Sequence, residues 1–246
     1  MSDIEIDRQD RVLTLRLTRP AKRNALTVAM YRALTAALEA APGEDVGAIV
    51  FGGDTECFTA GNDLQEFLTD PPAGPDAPVL CFLRALARCP LPLLAAVNGA
   101  AVGIGTTLLL HCDYVYAGEN ARFQLPFVPL GLAPEGGASV LLPALVGPRR
   151  AAALLYEGEP FTAAQAQAWG LVDAVVAPAD ALGQAQRKAQ ALAALPGGAI
   201  RATRMLLQAP RQAEILAAID REAALFGERL RSAEARAAMQ AALRRR

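Results

Sequence analysis

Two stretches of this 246-residue chain follow one plan: a β-branched or aromatic run reaches a glycine turn and opens into a helix. Ile49-Val50-Phe51 is followed by Phe58-Thr59-Ala60-Gly61-Asn62-Asp63-Leu64, and Leu93 to Val97 by Asn98-Gly99-Ala100-Ala101-Val102-Gly103-Ile104-Gly105-Thr106-Thr107. A helix start leaves backbone N–H groups unpaired and carries partial positive charge. Glycine lets that backbone approach a ligand with no Cβ in the way. Two such ends aimed at one point hold an oxygen on which negative charge develops. A phosphate loop is excluded, because no Gly-Lys-Ser/Thr follows either turn. The run from Gly99 to Gly105 also lacks the Gly-x-Gly-x-x-Gly order of a dinucleotide site.

The surrounding pattern is α/β. Strands are expected at 4–6, 12–17, 46–51, 93–97, 114–116 and 122–124, with Arg8-Gln9-Asp10 as the first turn. Helices are expected at 26–41, 79–87 and 104–111. Beyond Gly136 the reading turns helical: 138–145, 149–156, 163–169, 182–195, 200–207 and 212–243, with one strand at 171–176. The last helix carries Leu216, Ile219, Ala223, Phe226, Leu230, Ala233 and Ala237 at spacings of three and four, an apolar stripe that needs a partner surface. Residues 1–190 are read as the core and 191–246 as a helical region. No fixed-period sequence repeat is present.

Charge and composition narrow the function. The formal net charge is −1, and the one basic run, Arg244-Arg245-Arg246, reads as a solvated tail, so nucleic acid is not the expected partner. The start, Met1-Ser2-Asp3-Ile4-Glu5, is polar and acidic rather than a signal peptide, and no apolar run is long enough to span a membrane. A cytoplasmic location is expected. The four cysteines lack paired metal-ligand spacing and read as reduced thiols. The single histidine, His111, follows three leucines near a helix end and reads as structural. Acid–base chemistry therefore falls to a carboxylate. Glu135 is the candidate: it sits between Pro134 and the Gly136-Gly137 pair in an apolar setting that raises a carboxyl pKa. Capping of the following helix is the alternative reading.

Together these residues resemble the crotonase superfamily, the enoyl-CoA hydratases and isomerases. The likeness runs in order from Leu17-Thr18-Arg19-Pro20-Ala21-Lys22-Arg23-Asn24-Ala25-Leu26, through both glycine turns, to Phe161-Thr162-Ala163-Ala164-Gln165-Ala166 and Gly170-Leu171-Val172. It implies a spiral of ββα units with a C-terminal helical trimerisation region, and a homotrimer or dimer of trimers. It implies an acyl-coenzyme A thioester as substrate, within fatty-acid or other acyl-CoA metabolism, and no metal or redox cofactor. The amides of Asn62 and Ile104, beside Gly61 and Gly103, would bind the thioester oxygen. Ala60, Asp63 and Leu64 would pass the adenine and pantetheine, and Lys22 and Arg23 the coenzyme A head. The two glutamates of the hydratases correspond here to Thr107 and Phe127, neither of which is ionisable. Glu135 matches the base of the peroxisomal-type 3-enoyl-CoA to 2-enoyl-CoA isomerases, with Phe127 as an apolar wall. The resemblance leaves open another crotonase reaction, such as hydration or a lyase step with Asp63 or water supplying the second proton. It also leaves open a non-catalytic acyl-CoA binder.

Overall fold

The structure, a computed structural model, describes residues 3–244; Met1, Ser2 and two arginines of the terminal basic run lie outside them. A hairpin of β1 (Ile4–Gln9) and β2 (Val12–Leu17) opens the chain. Its turn is Asp10-Arg11, one residue later than expected, and both residues have positive φ, as a two-residue hairpin requires. Helix α1 (Val28–Ala40) follows, capped by the Thr27 side chain accepting from the Met30 amide.

Three turns of one motif come next. β3 (Ala48–Gly52), β4 (Cys57–Thr59) and α2 (Leu64–Thr69) form the first, followed by an inserted α3 (Pro78–Arg88). β5 (Leu93–Val97), β6 (Ala100–Val102) and α4 (Ile104–Thr107) form the second, with α4 running on as a 3-10 turn to His111. β7 (Tyr114–Gly118), β8 (Arg122–Gln124) and a 3-10 turn at Val128–Leu130 form the third. The first strand of each turn joins a six-stranded sheet ordered β1-β2-β3-β5-β7 and, at its far edge, β10 (Ala174–Val176). The second strand of each joins a smaller sheet ordered β4-β6-β8 and β9 (Phe161–Thr162). The strands contributed by the three turns pair in parallel within each sheet, whereas β1–β2 and β8–β9 are antiparallel. This is the spiral of ββα units expected. The sequence hides the repeat because α3 is inserted into one turn only and the second strands have three residues each.

Between β8 and β10 lie α5 (Ala138–Val146), α6 (Pro148–Glu157) and α7 (Ala163–Ala168). The strand expected at 171–176 is shorter, because the Leu171 and Val172 amides turn back to the Ala166 carbonyl and close α7. Helix α8 (Ala181–Ala193) lays a row of alanines, Ala181, Ala185, Ala189 and Ala193, on the open face of the large sheet. The expected pair of helices at 200–207 and 212–243 is instead α9 (Gly197–Leu230), continuous through Pro210, and α10 (Ala233–Arg244). The break falls at Arg231-Ser232, where the Ser232 hydroxyl accepts from the Ala235 amide and starts the next helix. The break shifts the phase of the stripe: Ile219, Phe226 and Leu230 are buried as expected, but beyond Ser232 it is Ala235 and Met239, not Ala233 and Ala237, that face the core. Both helices share the main hydrophobic cluster with α1, α3 and the large sheet.

Candidate active site

The two glycine turns meet. Gly61 has φ +88°, and a Cβ there would lie 2.8 Å from the Val102 carbonyl oxygen, so only glycine lets the first turn lie against the second. Gly103 has φ +56° and no atom within 4 Å of where a Cβ would stand. Asn62 sits in a parallel bridge with Leu26: Gly61 accepts from the Leu26 amide and the Asp63 amide donates to Leu26, which leaves the Asn62 N–H on the opposite side of the pleat. Ile104 is the first residue of α4, so its N–H has no intrahelical acceptor, while Gly103 donates to Gln124.

A cavity of about 420 Å³ opens beside these turns. Arg23, Ala60, Gly61, Asn62, Leu64, Gly103 and Phe127 line it, together with Arg122, Gln124 and Phe226. Ile104, next to Gly103, is fully buried, and its side chain does not line the cavity. Lys22 is exposed and does not line the cavity. Nor does Asp63. It caps α2 through the Gln65 and Glu66 amides and accepts from Arg19 Nη1 at 2.8 Å. Burial pushes the Asp63 carboxyl up, but Arg19 and those amides outweigh it and hold it below its ordinary value.

Glu135 lines a second cavity, of about 360 Å³, on the other side of Phe226, which borders both. Apart from Glu135, Arg84, Asp220 and Arg231, its walls are apolar: the 72–77 loop, Val79, Leu80 and Leu83 of α3, and Ile219, Ala223, Ala224 and Gly227 of α9. Arg84 ties the loop to α9, donating to the Pro75 carbonyl at 2.6 Å and to Asp220 at 2.7 Å.

Glu135 is 4% exposed, and its pKa is raised to about 8. Loss of water is the main cause; the nearby Glu222 carboxylate adds to it, and a hydrogen bond from Asn62 opposes it. That bond, from Asn62 Nδ2 to Glu135 Oε1 at 3.3 Å, physically links the two candidate centres. The Tyr31 hydroxyl donates to Asn62 Oδ1 and fixes which way the amide faces. Tyr31 is itself held well above its ordinary pKa, by burial and then by Glu135 and Glu66, so it remains a donor.

Two further side chains grip the backbone beside Glu135. His111 Nε2 donates to the Gly136 carbonyl at 2.8 Å. Burial lowers its pKa to about 4, so the ring is neutral with its proton on that nitrogen, as a structural role requires. Glu222 of α9 accepts from the Gly137 and Ser139 amides at 2.6 and 2.7 Å. Thr107 and Phe127 are both buried. Tyr31, Glu222 and Phe226 were not singled out for the site from the sequence. Glu222 had one readable sign: a carboxylate between Ile219 and Phe226, on the apolar stripe of a helix.

Known proteins resemble this chain in sequence and in fold. A family model described as enoyl-CoA hydratase/isomerase matches residues 7–246. Human enoyl-CoA delta isomerase 2 is 35% identical over 207 residues, 81% of this chain; the match spans about half (52%) of that relative's length. The 2,3-dehydroadipyl-CoA hydratase of Escherichia coli is 43% identical over 71% of this chain and 69% of its own. Among solved structures, OdaA of Pseudomonas aeruginosa superposes with a TM-score of 0.96 at 45% identity, covering 99% of both chains. The chain belongs to the enoyl-CoA hydratase/isomerase family, the crotonase superfamily.

Proposed function

We propose that this enzyme moves the double bond of a 3-enoyl-CoA to give the 2-enoyl-CoA, with Glu135 as both base and acid. The Asn62 and Ile104 amides hold the thioester oxygen. Glu135 takes a proton from the α-carbon, and the electron pair spreads over the dienolate onto that oxygen. The protonated carboxyl then returns its proton at the γ-carbon, and the pair settles between the α- and β-carbons. One carboxyl group suffices, because one proton leaves and one returns.

The observation that carries this reading is the buried Glu135 on an apolar cavity, linked through Asn62 to the glycine turns, while the two hydratase glutamate positions are Thr107 and Phe127. A general base with a pKa near the working pH balances ionised fraction against basicity. The first cavity suits the thioester and pantetheine, with Phe127 as an apolar wall, and the second suits the acyl chain. The name of the human relative, a delta isomerase, supports the reading. The higher identity to a hydratase supports the rival, hydration of a 2-enoyl-CoA. Feeding purified protein each substrate separately discriminates: isomerisation gives 2-enoyl-CoA from 3-enoyl-CoA, whereas hydration gives 3-hydroxyacyl-CoA from 2-enoyl-CoA. We further propose a homotrimer, or a dimer of such trimers. Met205, Leu206 and Leu207, 62 to 75% exposed on the first half of α9, support association.

A further inference from the structure

Helix α9 reaches into the Glu135 segment with a charged group that the proposed reaction does not use. Glu222 is 5% exposed, and both its oxygens are occupied: Oε2 by the Gly137 amide at 2.6 Å and Oε1 by the Ser139 amide at 2.7 Å. Those amides lie two and four residues beyond Glu135, at the first turn of α5. Capping alone does not require such a group. Exposed Ser, Thr, Asp or Asn side chains cap helices locally, whereas Glu222 comes from 85 residues away and is desolvated. An ionised carboxylate accepting two short, charge-assisted bonds is rigidly held, and here it stands behind a second buried carboxyl.

We propose that Glu222 is the positioning residue of the Glu135 centre, clamping the backbone that carries Glu135 and keeping a fixed negative charge behind it. This inference rests on the reading of Glu135 as the proton-transfer group. The clamp is completed from the other side by His111 on the Gly136 carbonyl, and Arg204, also from α9, donates to the His111 carbonyl. The C-terminal helix thus fixes the 135–139 segment at two points. The charge of Glu222 favours the protonated form of Glu135, so the carboxyl, once ionised, takes a carbon-bound proton more readily. Other ionisable groups around Glu135 include Tyr31 of α1, Glu66 of α2, Arg84 of α3, His111, Arg204 and Asp220 of α9, and Arg231 just after it. Among these groups it is Glu222 whose charge raises the Glu135 pKa.

The test titrates Glu135 directly in the full-length protein, by the infrared band of its protonated carboxyl, identified as the band missing from Glu135→Gln. In wild type the band is expected to fade with a midpoint of about 8. In Glu222→Gln, which keeps size but removes charge, the midpoint moves to lower pH, and the midpoint of the pH–kcat/KM profile moves with it. Glu222→Asp keeps the charge but shortens the reach, so kcat falls roughly tenfold or more as the base is misplaced, while the midpoint stays near the wild-type one. An unmoved midpoint in Glu222→Gln, or wild-type kcat in Glu222→Asp, overturns the proposal and leaves a plain helix cap. The infrared titration needs no turnover. A lowered midpoint in Glu222→Gln of a protein that does not isomerise 3-enoyl-CoA would sink the proposed reaction while leaving Glu222 as the positioning residue for another proton transfer by Glu135.

Discussion

A carboxyl group removed from water keeps its proton, and Glu135 is 4% exposed with a pKa of about 8. Two outcomes follow at the scale of this residue. Because the base works ionised, kcat/KM for isomerisation should rise with pH through about 8 and then level, as read from initial rates across pH 6 to 10. Because the folded pKa lies above the unfolded value of 4.5, the native state binds a proton that the unfolded chain has released, so stability falls as pH rises between those values. Glu135→Gln removes that penalty and is expected to stabilise the protein by ~1–3 kcal/mol at pH 7, measured by urea unfolding. His111 works in the opposite sense. Its folded pKa of about 4 lies below the unfolded 6.5, so the stability it contributes is complete above 6.5 and is lost as pH falls toward 4. The acid-side slope of unfolding free energy should flatten in His111→Gln. Glu135 itself was legible in the sequence, because proline, paired glycines and apolar neighbours announce a desolvated carboxyl. Tyr31 and Glu222 were not, because their roles depend on contacts 31 and 85 residues away.

At the scale of elements, the glycine turns explain how two short strands and a four-residue helix build the proposed oxygen-binding corner. Gly61→Ala is expected to cost about 1–3 kcal/mol, from a positive φ and a 2.8 Å approach to the Val102 carbonyl. The same change should lower kcat at least tenfold, since the Asn62 amide would shift; thermal unfolding and steady-state kinetics check the two effects. In the large sheet β2, β3 and β5 were legible because each is five or six residues of buried, mostly apolar sequence. In the small sheet β8 was legible at 122–124, but β4, β6 and β9 were not, because two or three residues carry no measurable period. The continuity of α9 through Pro210 was hidden for a different reason. Proline removes one donor and normally ends a helix, but here burial of Arg204 on one side of it and Glu222 on the other fixes both halves against the core.

At the scale of the whole molecule, α9 does two jobs. Its second half lines the second cavity and holds the Glu135 segment, and its first half presents Met205, Leu206 and Leu207 to solvent. If that apolar surface is covered by a neighbouring copy, native mass measurement should give a trimer or its double. Leu206→Glu combined with Leu207→Glu should shift the mass to the monomer. The sequence stripe on this helix left core and interface open, and the structure assigns Ile219, Phe226 and Leu230 to the core. The most direct test of the whole scheme is the turnover of 3-enoyl-CoA by wild type and by Glu135→Gln, with substrate binding measured alongside. The expected result is a loss of kcat of about 10²–10⁴-fold with acyl-CoA affinity retained. Equal turnover by the two proteins would contradict it.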